Sequence, residues 1–196
     1  MSKIESQRIN IKAPVRIDFA GGPTDVEPFR SRENGFVVNS SLNQFAEVTI
    51  IPRSDHGIVI YSHDYDQEES FNSIDKLDLQ GSLKLIKASL KHIAPQRGVE
   101  VYTKVDVPPG SGLGSSAALA IALVRGLREI AGDTNPHAEK LVQDALYVEN
   151  VLLNNINGGQ DQYASSLGGF HSFDFRSNEV VVNNLSVQEE TVAEIE

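Results

Sequence analysis

The sequence predicts an α+β domain with a mostly antiparallel sheet, and three observations carry that expectation. Strand-like segments come first and helical ones afterwards, rather than in strict alternation. The clearest strand, GVEVYTKVDV at 98–107, sets Val99, Val101, Thr103, Val105 and Val107 against Glu100, Tyr102, Lys104 and Asp106. One face of that sheet is therefore wet, whereas a parallel strand covered by helices on both sides is a nearly continuous apolar run. Finally, 196 residues suffice for one good-sized domain, or for one domain and a fragment of another.

Each element has its own signal. Residues 8–20, RINIKAPVRIDFA, are extended, with Pro14 at a break or an edge because proline cannot donate to a ladder. NGFVVNSSLNQFAEVTIIP at 34–52 and GIVIYS at 57–62 are further strands, with the turn RSDHG between them. SLKLIKASLKHIA is a short amphipathic helix capped by Ser82. AALAIALVRGLREIAG is a mostly apolar helix that stops near Gly132. Asn135 and Pro136 then suit the N-cap and first position of a helix running to about Asn154. GGFHSFDF and NEVVVNN form a closing strand pair.

Composition narrows the setting. Hydrophobic residues make up 40% and charged residues 22%, ordinary values for a soluble globular protein. No long apolar run and no basic-then-apolar start is present, so neither a membrane partner nor a signal peptide is expected. The absence of cysteine excludes disulfides, thiolate metal sites and thiolate nucleophiles, and a cytoplasmic location is expected. A net charge of −10 argues against nonspecific nucleic-acid binding, which depends on Lys and Arg neutralising phosphates.

The stretch PPGSGLGSSAA holds the most concentrated chemical signal. Gly110, Gly112 and Gly114 sit on alternate positions, remove the Cβ atoms that would keep a ligand off the backbone, and allow positive φ. Ser115 or Ser116 can cap the following helix, whose free N–H groups and dipole favour an anion. No lysine follows the last glycine, so this is not a Walker P-loop, and GSGLGS lacks the spacing of the dinucleotide fingerprint. A plain glycine-rich strand-to-helix turn remains the competing explanation. Because residues 108–124 carry no charge, a phosphate there would depend on backbone dipoles and a metal ion.

Four charged residues stand out beside it. Helical spacing puts Glu149 on a stripe with Val142, Leu146 and Leu153, where a carboxylate is costly unless it is paired, hydrogen-bonded or metal-bound. Asp161 follows the glycine-bearing NNINGG and suits either chemistry or an N-cap. Arg16, between Val15 and Ile17, needs a carboxylate, with Asp18 or another sheet residue as the simple partner. Asp25, after Gly-Gly-Pro-Thr, suits a turn.

Taken together, these segments resemble the GHMP kinases, whose members include galactokinase, homoserine kinase, mevalonate kinase and phosphomevalonate kinase. PPGSGLGSSAA is similar to their phosphate-loop motif, APVRIDFAGGPTD to their N-terminal motif, and NGGQDQYASSLGGF to the segment bearing their catalytic aspartate. The wording is closest to the D-glycero-D-manno-heptose 7-phosphate kinase and L-fucokinase branch. Gly-Gly-Pro-Thr-Asp stands where galactokinase usually has Gly-Glu-His-Thr-Asp, which points away from galactose.

The resemblance implies a fold, a reaction and a set of roles. The fold is the family's N-terminal, ribosomal protein S5 domain 2-like α+β arrangement. The reaction is transfer of the γ-phosphoryl group of ATP to a hydroxyl of a sugar or sugar phosphate, with a noncatalytic sugar or nucleotide sensor as the alternative. Pro109, Gly110, Ser111, Gly112, Leu113, Gly114, Ser115, Ser116 and Ala117 would hold the ATP phosphates, and Glu149 with Ser116, or alternatively Ser115, would contact Mg2+. Asp161 would be the general base with Arg16 as its partner. Asp25, Gly21, Gly22 and Thr24 would meet the sugar. The family continues into a ferredoxin-like second half, whereas this sequence stops at LSVQEETVAEIE, so residues 1–196 are expected to be the N-terminal, ATP-binding portion.

Overall fold

Alternation of buried and exposed side chains builds seven strands into one sheet in the computed structural model, which describes residues 8–188, 190 and 192. The closing LSVQEETVAEIE, on which the expectation of a longer protein rests, lies partly outside those residues. The strands are β1 (Ile9–Ala20), β2 (Gly35–Pro52), β3 (Ile58–Ser62), β4 (Gln67–Phe71), β5 (Val99–Val105), β6 (Phe170–Phe175) and β7 (Val180–Asn184). Their order is β4-β3-β5-β2-β6-β7, with β1 paired to β2, and only the β3–β5 pair is parallel. The mostly antiparallel expectation is therefore borne out, and β5 shows the foreseen wet face, with Tyr102 and Lys104 exposed between buried Val101 and Thr103.

β2 organises the sheet. One of its edges takes β1 along nearly its whole length; the other takes β6 at residues 35–40 and β5 at residues 46–52. Pro14 lies at a register shift in β1, as its missing N–H requires.

Among the described residues the α-helices are α1 (Phe29–Glu33), α2 (Lys84–Ile93), α3 (Ser115–Ile130), α4 (Ala138–Leu146) and α5 (Gln160–Leu167), of which α3 and α5 pack on β1 and β2 while α2 and α4 pack on α3. α3 packs on β1 and β2 through Ala118, Ala122, Leu123 and Leu127. A Cβ on Gly126 would stand 2.8 Å from Ile50 Cδ1, so the missing methyl lets this helix sit close to the sheet. Fully burying each larger side chain of that interface, such as Ile50, Leu123 or Leu127, contributes about 1.5–3 kcal/mol.

Three expected caps are corrected. Gly114, in the left-handed region at φ 71°, takes the cap position of α3, so Ser115 and Ser116 are its first two helical residues. Leu83, not Ser82, precedes α2. Pro136 is buried on the approach to α4, and the extended His137 occupies the cap. The helix foreseen to run to Asn154 does continue beyond α4, but as a π turn over Tyr147–Leu152 that carries Glu149. β4, α1 and the whole of α5 had no separate expectation.

Candidate active site

The glycine loop docks on the free edge of β1. Arg16 N donates to Leu113 O at 2.9 Å, and Arg16 Nη1 donates to Gly112 O at 2.6 Å. The charge missing from residues 108–124 therefore comes from a strand almost a hundred residues earlier, which spacing along the loop could not reveal. Gly110, Gly112 and Gly114 all have positive φ, and open space surrounds a Cβ placed on the first two. At Gly114 a Cβ would lie 3.2 Å from Asp161 Oδ2 and 3.3 Å from Arg16 Cγ, so this glycine faces the carboxylate directly.

Arg16 pairs with Asp161, not with Asp18. Arg16 Nε donates to Asp161 Oδ1 at 2.7 Å, and Nη2 lies 2.6 Å from the same oxygen. Asp161 is the second residue of α5, whose cap position is Gly159, so the N-cap explanation of Asp161 is also set aside. Burial pushes the Asp161 carboxyl above its ordinary value, and Asp18 adds to this, while the Arg16 guanidinium pulls it down.

Glu149 is 2% exposed. Ser116 Oγ donates to its Oε1 at 2.8 Å and Gln162 Nε2 to its Oε2 at 2.6 Å. Among the described residues no cation pairs with it, so the salt-bridge explanation fails, and burial raises its pKa against the pull of the two hydrogen bonds. A hard-oxygen pair of one hydroxyl and one carboxylate at a helix N-terminus fits Mg2+, which takes one or two carboxylates and completes its shell with phosphates and water. No group of three or more His, Asp or Glu side chains among the described residues forms a metal cage of its own.

Two cavities flank this arrangement. One, of about 200 Å³, is bordered by Gly110, Ser115, Ser116, Tyr65, Leu119 and Asn155. The other, of about 280 Å³, is bordered by Arg16, Asp18, Gly22, Asp25, Asn157 and Asp161. Asp25, 2% exposed, accepts from Gln160 N at 3.0 Å and from Gln160 Nε2 at 3.2 Å, so it holds the first turn of α5 as well as bordering the cavity. Burial raises its pKa, offset by those donors.

Gly21 and Thr24 turn away from this cavity. A Cβ on Gly21 would stand 2.1 Å from Phe36 O, and Thr24 Oγ1 donates to Phe36 O and accepts from Phe36 N, which clamps the segment onto β2. The carbonyl of Gly22 accepts from Gln160 Nε2 at 2.8 Å. Gln160 and Gln162 are the site-bordering positions that single-residue reasoning missed. Their signal was the alternation Gln-Asp-Gln, which turns its glutamines to Asp25 and Glu149 while Asp161 faces Arg16.

Comparison with known proteins shows what this chain is similar to. Residues 80–169 match the family model described as the GHMP kinases N terminal domain. The chain is 30% identical over 195 residues to the D-glycero-alpha-D-manno-heptose 7-phosphate kinase of Campylobacter jejuni, covering 96% of this chain and 57% of that protein. It is 28% identical over 183 residues to the bifunctional fucokinase/GDP-fucose pyrophosphorylase of Arabidopsis thaliana, covering 85% of this chain and 17% of the relative. The crystal structure of a D-glycero-D-manno-heptose 1-phosphate kinase from Bacteriodes thetaiotaomicron superposes with a TM-score of 0.86 at 29% identity, covering 95% of this chain and 62% of that one.

Proposed function

We propose, on the premise that residues 80–169 form a GHMP kinase N-terminal domain, that this chain is the ATP-binding half of a kinase acting on a sugar or sugar phosphate. The observation that carries the reading is the Arg16–Asp161 pair, set against Gly114 at the boundary between the glycine loop and the acidic cavity.

In this reading the backbone of Pro109–Ala117 cradles the ATP phosphates, and Arg16 lends the loop its positive charge. Ser116 and Glu149 hold Mg2+, which when bound neutralises charge on the phosphates. Asp161 accepts the proton of the acceptor hydroxyl as that oxygen bonds to the γ-phosphorus and the bond to the β–γ bridging oxygen breaks, releasing ADP. Arg16 favours the ionised form of Asp161 against its burial and stabilises charge developing in transfer. Positioning supplies much of the catalysis, because the transferred group requires little covalent help. Asp25 and Gly22 border the acceptor cavity, while Gly21 and Thr24 shape it by fixing their segment to β2.

The acceptor cavity presents three carboxylates, Asp18, Asp25 and Asp161, and one guanidinium that is already engaged. That balance suits a hydroxyl-rich, uncharged end of the acceptor. A phosphate carried elsewhere on the sugar would be held by residues outside this chain. The chain spans 57% of the Campylobacter jejuni relative's length, and the reading assigns the remaining cleft wall to a second, ferredoxin-like half. No helix among the described residues is long and apolar enough to cross a membrane, and a cytoplasmic site of action accompanies the use of ATP.

The test is Asp161→Asn in the whole kinase. ATP and sugar affinities stay within a small factor while the chemical step falls by roughly 10²–10⁴-fold, the usual scale of losing a general base. An Asp161→Asn enzyme that transfers phosphate at the parental rate in single-turnover measurements overturns the assignment.

A further inference from the structure

Beneath α5 the sheet carries a row of polar side chains whose needs the protein does not meet. Asp18 of β1 is the direct cross-strand partner of Asn39 of β2, and Asn39 is the partner of His171 of β6. Directly paired residues project to one face, and here it is the helix-covered face. Two residues along, Arg16 and Ser41 reach α5 from β1 and β2, while Val37 and Phe173 are fully buried on the same side. Asn39 is 0% exposed.

Ten buried side-chain N and O atoms of the described residues have no hydrogen-bond partner, and seven belong to this row and to Gln162, Ser165 and Ser166 of the helix above it, which also holds Gln160 Oε1. The seven are Asp18 Oδ1, both amide atoms of Asn39, His171 Nδ1, Gln162 Oε1, Ser165 Oγ and Ser166 Oγ. Folded interiors pair nearly all such groups, and a lone unpaired one costs far more than a paired one gains. Seven together, on paired strands and on the helix packed against them, are a built feature.

The chemistry of the row selects what fills it. Asn39 has the chemistry to donate to Asp18 and to accept from His171, yet no direct hydrogen bond joins it to either. Complementary buried groups on paired strands that form no bond with each other suit a bridging water. A dehydrated cation would suit the oxygens of Asp18, Gln162 and Ser165, but the amide of Asn39 presents N–H groups to the same space. Water alone serves donors and acceptors alike.

We infer that the Asp18–Asn39–His171 row is a water-binding seam, in which ordered molecules bridge β1, β2 and β6 to α5. The seam opens on the acceptor cavity through Asp18 and Gln162, which border it. It lies beneath α5, the helix that carries Asp161.

The test needs neither ATP nor sugar, so its failure is distinct from failure of the kinase reading. In Asn39→Leu, which keeps size and removes the amide, a hydrated seam loses its central bridge and Tm falls by at least roughly 2–4 °C, a shift readily measured for a chain of this length. A dry, mismatched row gives the opposite sign, because Leu removes an unpaired polar group, and an unchanged or higher Tm overturns the inference. If Asn39→Leu does not fold, the parent protein decides. Diffraction at high resolution shows at least two waters within hydrogen-bond distance of Asn39 and Asp18, or it shows none and the seam is refuted. Anomalous signal from soaked rubidium at that position would replace water with a monovalent cation and refute it equally.

Discussion

Glu149 has two partners, Ser116 and Gln162, and both are neutral, so its charge in the folded chain has no protein cation to offset it. Its pKa is raised by burial, so the folded state keeps a proton that the unfolded state has already lost. The resulting stability is full below the ordinary glutamate value of 4.5 and is lost as pH rises through the higher folded value. Glu149→Gln therefore flattens the dependence of Tm on pH from 4.5 upward and leaves Tm at neutral pH equal or roughly 2–4 °C higher. The same variant loses the Mg2+-dependent part of nucleotide binding. Melts with and without Mg2+ and ATP check both, and a large loss of metal-free stability would instead reveal a hidden structural ion pair. Spacing on a helix was enough to flag Glu149 as out of place. It was not enough to find Gln162, because that partner arrives from α5, which was not foreseen as a helix.

α3 and its glycine entry carry the consequence at the level of the element. Gly112 and Gly114 share a left-handed backbone, so a side chain at either costs about 1–2 kcal/mol in strain. Their surroundings differ. A Cβ on Gly112 meets nothing within 4 Å, whereas one on Gly114 presses on Asp161 Oδ2 and Arg16 Cγ. Gly112→Val is expected to fold and to lose ATP affinity, read by calorimetry. Gly114→Ala is expected to disturb the Arg16–Asp161 pair as well, lowering the rate of transfer beyond its effect on binding. Equal effects of the two variants on binding and on rate would contradict this division. Long periodic elements such as β2, α3 and β5 were legible because burial imposes their repeat. The π turn was not, since an extra residue per turn leaves no separate mark in the apolar spacing. The caps failed for a related reason: Ser115 and Ser116 have the right chemistry, but the left-handed Gly114 already makes the turn, which frees Ser116 to reach Glu149.

For the whole molecule, the sheet order could not be read from segments that are each compatible with several partners, although the fold class and the wet face could. The site was legible as three motifs, and its assembly was not, since Arg16 and Asp161 meet only through the docking of α5 on β1. With one wall of the cleft assigned elsewhere, residues 1–196 alone are expected to release ADP in a sugar-dependent manner at no more than a trace of the whole kinase's rate, because in-line positioning is the larger part of catalysis. Robust sugar-dependent turnover by this chain in a coupled assay would overturn the two-half reading. β2 has one more implication, for the order of events during synthesis. Its lower half is completed by β6, so a ribosome must deliver the chain through Phe175 before Gly35–Ser40 gains its second neighbour. Until then the nascent protein displays an open ladder edge next to Phe36 and Val37, the kind of surface that pairs with other chains. Completion of this sheet is thus a late event in synthesis, and slower delivery of β6 is expected to lengthen the exposure of that edge.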